Sequence, residues 1–269
     1  MISVLGLGDN TVDTYVDAGQ QFPGGNAVNV AVFAGRLGAR AGYLGCVGDD
    51  AAGRLLLAAL AGEGVDTSHC RIRPGANARA LIGHDGSERR FISASPGVRG
   101  DYRLDDRDRA WIAGWDHVHT SINSDIDGLL PAGARSLSYD FSDKWTDARL
   151  DAVVPLLDVA VLSCAGRGRE AADAALRRCA GLGARVAIAT LGPEGALALA
   201  DGRLHNQAPF PTQVVDTLGA GDGFIAGFLV AWLAGRDVPV ALAEGAGFAA
   251  DVCSWQGAFG HAVPWTDKT

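Results

Sequence analysis

Short apolar runs alternate with longer segments whose apolar positions recur at helical spacing. ISVLGLG (2–8), AGYLGCVG (41–48), WDHVHTS (115–121), ARSLSYD (134–140), LDVAVLS (157–163) and ARVAIAT (184–190) read as strands. Between them, NAVNVAVFAGRLG (26–38), AAGRLLLAALAGEG (51–64), LDDRDRAWIAG (104–114), DARLDAVVPLL (147–157), REAADAALRRCAGLG (169–183) and PVALAEGAGFAADVCS (239–254) read as helices. In the first helix Asn26 is a candidate cap and Gly38 a stop. Nearly continuous apolar strands separated by helices predict an α/β fold, a mostly parallel sheet covered on both faces.

Two segments break the alternation. NTVDTYVDAGQQFP (10–23) alternates polar and apolar residues with no helix behind it. In 71–100, Asp85-Gly86 separates two alternating runs, a hairpin signal. The two segments are expected to pair into a small antiparallel sheet outside the main one. A movable lid is the functional reading of such a flap, an edge hairpin the plain one.

Composition narrows the classes. The chain has 269 residues, 48% hydrophobic, enough for one large core. A formal charge of −8 argues against nucleic-acid or membrane-surface partners, which call for basic patches. Five cysteines, odd in number and without a CxxC, point to thiols in a reducing cytoplasm rather than a disulfide framework. The apolar run GFIAGFLVAWLAG (223–235) is shorter than the roughly 20 residues of a membrane span.

Chemistry is expected in loops beyond the carboxyl ends of the strands. GLGDNT (6–11) starts like a dinucleotide fingerprint but has Thr11 where the last glycine is required, and no GxxxxGK[ST], HExxH or GxSxG occurs. DTLGAGDGF (216–224) is more informative: a loop of small residues leads into an apolar helix and carries an acid. Gly219, Ala220 and Gly221 let backbone N–H groups crowd a phosphoryl oxyanion at a helix N-terminus. Asp222 would repel a bare phosphate, so the arrangement makes sense with a hydroxyl between them, its proton directed at the acid while its oxygen attacks phosphorus. Proximity to a helix N-terminus predicts an acid held ionised, and thus a weak base. From the local pattern alone, a helix-capping aspartate among packing glycines fits equally well.

VVDTLGAGDGFIAGFL (214–229) resembles the C-terminal signature of the ribokinase-like (PfkB) carbohydrate kinases, and PGGNAVNVAVFAGRLGARAGYLGCVGDDAAG (23–53) resembles their N-terminal one. The resemblance implies a three-layer α/β/α sandwich with a small β-sheet lid: 1–9, 24–70 and 101–269 as nucleotide- and substrate-binding core, 10–23 and 71–100 as lid. It implies that Asp222 is the base and Gly219, Ala220 and Gly221 the anion hole. It assigns sugar contacts to Asp9, Asp13, Gly25, Asn26 and Asn29, and nucleotide contacts to Thr190, Gly192, Gly195 and Gly257. ATP and Mg2+ are the implied cofactors. In some members K+ lies near the counterpart of Asp216, for which a structural hydrogen bond is the alternative reading. A homodimer joined through the lids is also implied.

One departure stands out. Many relatives carry Asn-x-x-Glu after a central strand to organise the metal; here Ser163 and Gly166 stand in its place. HVHTSI…YDFSDKW (117–145) looks most like the bacterial fructoselysine 6-kinases of the family, which share DFSDKW and also lack Asn-x-x-Glu. That implies phosphorylation of the 6-hydroxyl of a fructosamine, with Asp9, Asp13 and Asp140 as amine or hydroxyl partners and Arg79, Arg89, Arg90 and Arg99 as carboxylate partners. The alternatives are a fructokinase- or ribokinase-type or nucleoside kinase, and a catalytically silent sugar-binding regulator. His117 and His119 share one strand face, read as packing rather than metal ligation.

Overall fold

The computed structural model describes residues 1–85, 88–130 and 133–266. The chain opens with β1 (Ser3–Leu7), β2 (Thr11–Tyr15), β3 (Gln20–Gly24) and α1 (Asn26–Arg36). There follow β4 (Arg40–Leu44), β5 (Cys46–Gly48), α2 (Ala51–Gly62), β6 (Arg71–Arg73), β7 (Arg79–Asp85) and β8 (Glu88–Ser95). The middle holds α3 (Asp106–Ile112), β9 (His117–Ser121), β10 (Leu137–Asp140), α4 (Asp147–Val153), β11 (Val159–Ser163) and α5 (Arg169–Gly181). The last part comprises β12 (Val186–Thr190), β13 (Ala196–Ala200), β14 (Arg203–Gln207), α6 (Ala220–Leu233), α7 (Val238–Cys253) and β15 (Val263–Pro264).

The main sheet runs β14-β13-β12-β11-β10-β9-β1-β4, parallel from β12 to β4. Except for the exposed edge strand β14, its strands are buried on both faces, and their alternation divides two cores. Val159 and Val161 pack with α1, α2, α6 and α7; Ala160 and Leu162 pack with residues of α3, α4 and α5. This is the expected three-layer sandwich. The antiparallel hairpin β13–β14 was not among the expected strands, although its turn carries Asp-Gly: Asp201 and Gly202 both have positive φ, 49° and 71°. Among the described residues no helix is long and apolar enough to cross a membrane.

Three local expectations change. The run 41–48 is two strands, broken at Gly45, where a Cβ would lie 2.2 Å from the Tyr43 hydroxyl oxygen and 2.6 Å from the Gly8 carbonyl oxygen. The second sheet, β15-β3-β2-β7-β8, does join the two irregular segments, but it is mixed: β2 pairs with β7 in parallel. Arg71–Arg73 lies outside it, paired with β5. β7 and β8 pair antiparallel as the hairpin signal predicts; Gly86 itself lies outside the described residues.

The third change concerns the start of α1. Asn26 is not the cap; it is the first helical residue, after Gly25 at φ 109°. Asp9, from the loop after β1, caps the helix instead, accepting from the Asn26 N–H at 2.7 Å and the Ala27 N–H at 3.3 Å. A Cβ on Gly25 would stand 2.6 Å from the Asn10 Cα, so only glycine allows this approach. Gly38 does follow the helix end, with φ 89°.

Candidate active site

With Asp9 as an external cap, the Asn26 side chain is released for other work. Asn26 and Asn29 are three residues apart and so share a helix face. Both side chains reach the acid of the late helix: Asn26 Nδ2 donates to Asp222 Oδ1 at 2.7 Å and Asn29 Nδ2 to Asp222 Oδ2 at 2.6 Å. Asn26 Nδ2 also donates to Asp140 Oδ2, 2.9 Å away at the end of β10. Residues far apart in the chain thus meet at the carboxyl edge of the main sheet.

Asp222 occupies the first turn of α6, which begins after Gly219 at φ 78°. The first intrahelical bond is from the Gly223 N–H to the Gly219 carbonyl, 2.8 Å, so the amides of Gly221 and Asp222 precede the ladder, and the Ala220 N–H lies 3.3 Å from the Thr217 carbonyl. A Cβ on Gly219 would sit 2.8 Å from that of Ala258, which packs the loop 253–258 against this corner.

The electrostatics reverse one expectation. Asp222 is harder to ionise than its helix position suggests: burial pushes its pKa up to about 8, the Asn29 and Asn26 hydrogen bonds oppose this, and the charges of Asp140 and Asp9 add to it. Desolvation among carboxylates outweighs the partial charge of one helix turn. Asp140 is raised to about 6, mainly by burial, against the hydrogen bond from the Ser142 N–H. A base with a raised pKa takes up a hydroxyl proton more strongly once ionised.

The other expected residues fall into three groups. Asp9 is buried, and its carboxylate also accepts from the Ser121 and Ser124 hydroxyls at 2.8 and 3.0 Å, which ties it to the scaffold. Asp13 on β2 is buried near α1: a Cβ on Gly24 would come 2.6 Å from its Oδ2 and 3.7 Å from Asn29 Oδ1. Asp216 accepts from the Tyr15 hydroxyl at 2.5 Å, the Gly257 N–H at 3.0 Å and the Leu218 N–H at 2.9 Å, thereby joining the second sheet to the signature loop and to the loop after α7.

On the nucleotide side, Thr190 ends β12 and Gly192 follows at φ 61°, with Ala165 the nearest neighbour of its missing Cβ at 3.5 Å. Gly195 and Gly257 have packing reasons of their own. Cβ atoms there would lie 2.1 Å from the Gln207 carbonyl oxygen and 2.2 Å from the Phe22 ring. Gly166, in the place of the missing glutamate, has φ 76°, a left-handed backbone that disfavours glutamate there. Among the described residues no three His, Cys, Asp or Glu side chains are grouped to hold a metal. A groove of about 580 Å3 between α6 and α7 is lined by none of the expected site residues.

Sequence reading understated two groups. Asp140 was one of several amine partners, yet it shares Asn26 with the candidate base. His119 was read as packing, yet its Nε2 lies 2.8 Å from Asn26 Oδ1. The available signal was the matched period-two spacing of HVH and SLS, which the parallel register of β9 and β10 sets side by side.

Comparison with known proteins agrees with this geometry. The model of the pfkB family carbohydrate kinases matches residues 3–160 and 158–264. A fructoselysine 6-kinase of Shigella flexneri is 39% identical over 262 residues, covering 96% of this chain and all of that one. A fructosamine kinase of Bacillus subtilis is 36% identical, covering 98% and 95% of the two chains. In fold, the chain is similar to Arabidopsis thaliana ribokinase, with a TM-score of 0.83 at 23% identity over 95% and 93% of the chains. A PfkB protein from Polaromonas superposes with a TM-score of 0.76 at 25% identity over 96% and 98%. Two signatures, a three-layer fold that joins them at Asp222 and a match along nearly the whole length converge: the chain belongs to the pfkB family of carbohydrate kinases and is an ATP-dependent phosphotransferase acting on a sugar hydroxyl.

Proposed function

We propose that this kinase phosphorylates the 6-hydroxyl of a fructosamine, an amino acid glycated on its amine, with Asp222 as the base. The observation that carries the substrate class is a second carboxylate next to the base: Asp140 and Asp222 share the Asn26 amide at 2.9 and 2.7 Å. The second acid is free to take an amine in addition to the hydroxyl that the first one receives. A fructosamine presents an amine as well as a hydroxyl, and Asp140 suits the amine. End-to-end similarity to a fructoselysine 6-kinase supports the same reading.

In this mechanism Asn26 and Asn29 aim the Asp222 carboxylate, which accepts a hydrogen bond from the sugar hydroxyl and its proton as the O–P bond forms. The amides at the start of α6 that precede its ladder, those of Gly221 and Asp222, would receive the phosphoryl oxygens, joined by that of Ala220 if it leaves the Thr217 carbonyl. Thr190, Gly192, Gly195 and Gly257 line the approach of ATP, and Asp13 and Gly25 that of the sugar. Mg2+ entering with ATP would offset the charge of its phosphates. Around Asp216, three protein donors favour the structural role over a K+ site. An ATP-consuming reaction supports a cytoplasmic location.

The five-stranded sheet is the proposed lid. Its edge strand β8 exposes Phe91 and Ile92, at 64% and 49%, and pairing with a second copy would cover them. The test of function is an ADP-release assay with fructoselysine, fructose, ribose and adenosine. Fructoselysine should exceed the others in kcat/KM by about 10²-fold or more, and Asp140→Asn should remove most of that preference. Equal rates on fructose and fructoselysine would refute the substrate class.

A further inference from the structure

We propose that His119 is a positioning residue for phosphoryl transfer: it ends a one-way hydrogen-bond chain that fixes which end of the Asn26 amide faces Asp222. The chain crosses two strands. Ser136 Oγ lies 2.9 Å from His117 Nδ1, His117 Nε2 2.7 Å from Ser138 Oγ, Ser138 Oγ 2.7 Å from His119 Nδ1, and His119 Nε2 2.8 Å from Asn26 Oδ1. His117, Ser138 and His119 are fully buried, so solvent cannot substitute for the links between them, while Ser136 is half-buried. The register that sets Ser138 beside His119 makes the alignment possible.

Each donor follows from the next. The Asn26 nitrogen lies between two carboxylates, Asp140 and Asp222, and must be the NH2 end. Its oxygen can only accept, so His119 carries its proton on Nε2. A neutral ring leaves Nδ1 to accept from the Ser138 hydroxyl. That hydroxyl oxygen accepts from His117 Nε2–H, and His117 Nδ1 accepts from Ser136. Both rings are neutral: burial pushes His117 down to about 4, against the charge of Asp158, and His119 to about 3, with His117 adding to the effect.

Every link therefore points its donor toward the acids, and such chains polarise each donor in turn. A reversed Asn26 would aim a carbonyl oxygen at both carboxylates. By holding the amide in its present sense, His119 keeps a donor on Asp222 and lets the base ionise lower than burial alone allows. The groups facing Asp222 are Asn26 and Asn29 from α1, Asp140 at the end of β10 and Asp9 after β1. Those facing the imidazoles are Ser136, Ser138, Asn26 and Asp158. The inference holds for any acceptor sugar.

The test needs no substrate. Long-range 15N–1H NMR of the full chain at neutral pH should show both rings as neutral Nε2–H tautomers; an Nδ1–H or cationic His119 would overturn the proposal. The Asp222 midpoint is then read from carboxylate 13C shifts, assigned by the signal absent from Asp222→Asn. His119→Phe should raise it by about 0.5–1 unit, the scale of one weakened hydrogen bond. Ser138→Ala should shift it less in the same direction, and His119→Gln, which keeps an N–H near the Nε2 position, should restore most of the wild-type value. A folded His119→Phe that titrates like wild type, or a His119→Gln as displaced as His119→Phe, refutes the proposal. Should His119→Phe not fold, an unchanged midpoint in Ser138→Ala refutes it.

Discussion

Replacing Asp222 with asparagine should make the protein inactive and more stable together. The acid is raised from its ordinary 3.8 to about 8, chiefly by burial. Each unit is worth about 1.4 kcal/mol, so the native fold would bear up to about 6 kcal/mol for that carboxylate; relaxation reduces this to about 1–3 kcal/mol. Asparagine keeps the shape. The buried Asn29 Oδ1 has no partner, and reversing that amide lets it accept from the new NH2. At about 2–4 °C per kcal/mol, Tm should rise by several degrees.

The sign with pH is specific. Between about 4 and 8 the native acid holds a proton that the unfolded chain has released, so wild-type stability falls as pH rises through this window. The asparagine variant lacks this dependence. Its advantage should be small near pH 4, grow toward pH 8 and level off above. Thermal melts of both proteins across that range, with ADP release alongside, test the reasoning. Turnover should drop by about 10²–10⁴. A variant that turns over normally, or one whose stability gain does not change with pH, would refute it.

Other outcomes follow from the same geometry. For the wild type, kcat/KM should rise with pH along an acid limb lying between about 6 and 8, since Asp140 and Asp222 titrate as a coupled pair; a flat profile across that range would contradict it. Gly257→Ala should cost about 2–4 kcal/mol in denaturant unfolding, because φ is 62° and the new Cβ would meet the buried Phe22 ring at 2.2 Å. Tyr15→Phe removes the hydroxyl bonded to Asp216 and should lower stability by about 1–3 kcal/mol in the same measurement. A chelator should stop turnover and excess Mg2+ restore it, read by ADP release.

The sequence by itself determined the layers and the location of the chemistry. Short apolar strands such as Val159–Ser163 and helices such as Arg169–Gly181 follow from apolar length and spacing, because each element must bury one side or both. Gly219–Asp222 is legible because small residues beside an acid at a helix start have few purposes. Its partners were less so. Asn26 looks like a cap because capping chemistry is local, yet the cap is Asp9, 17 residues earlier. The ionisation of Asp222 reversed for a similar reason: helix position can be read from a neighbourhood in sequence, whereas desolvation and the charges of Asp140 and Asp9 exist only once distant strand ends converge. The parallel pairing of β2 with β7, the tether from Tyr15 to Asp216 and the alignment of His119 with Asn26 are likewise set by register and packing between segments far apart in the chain, which no local pattern encodes.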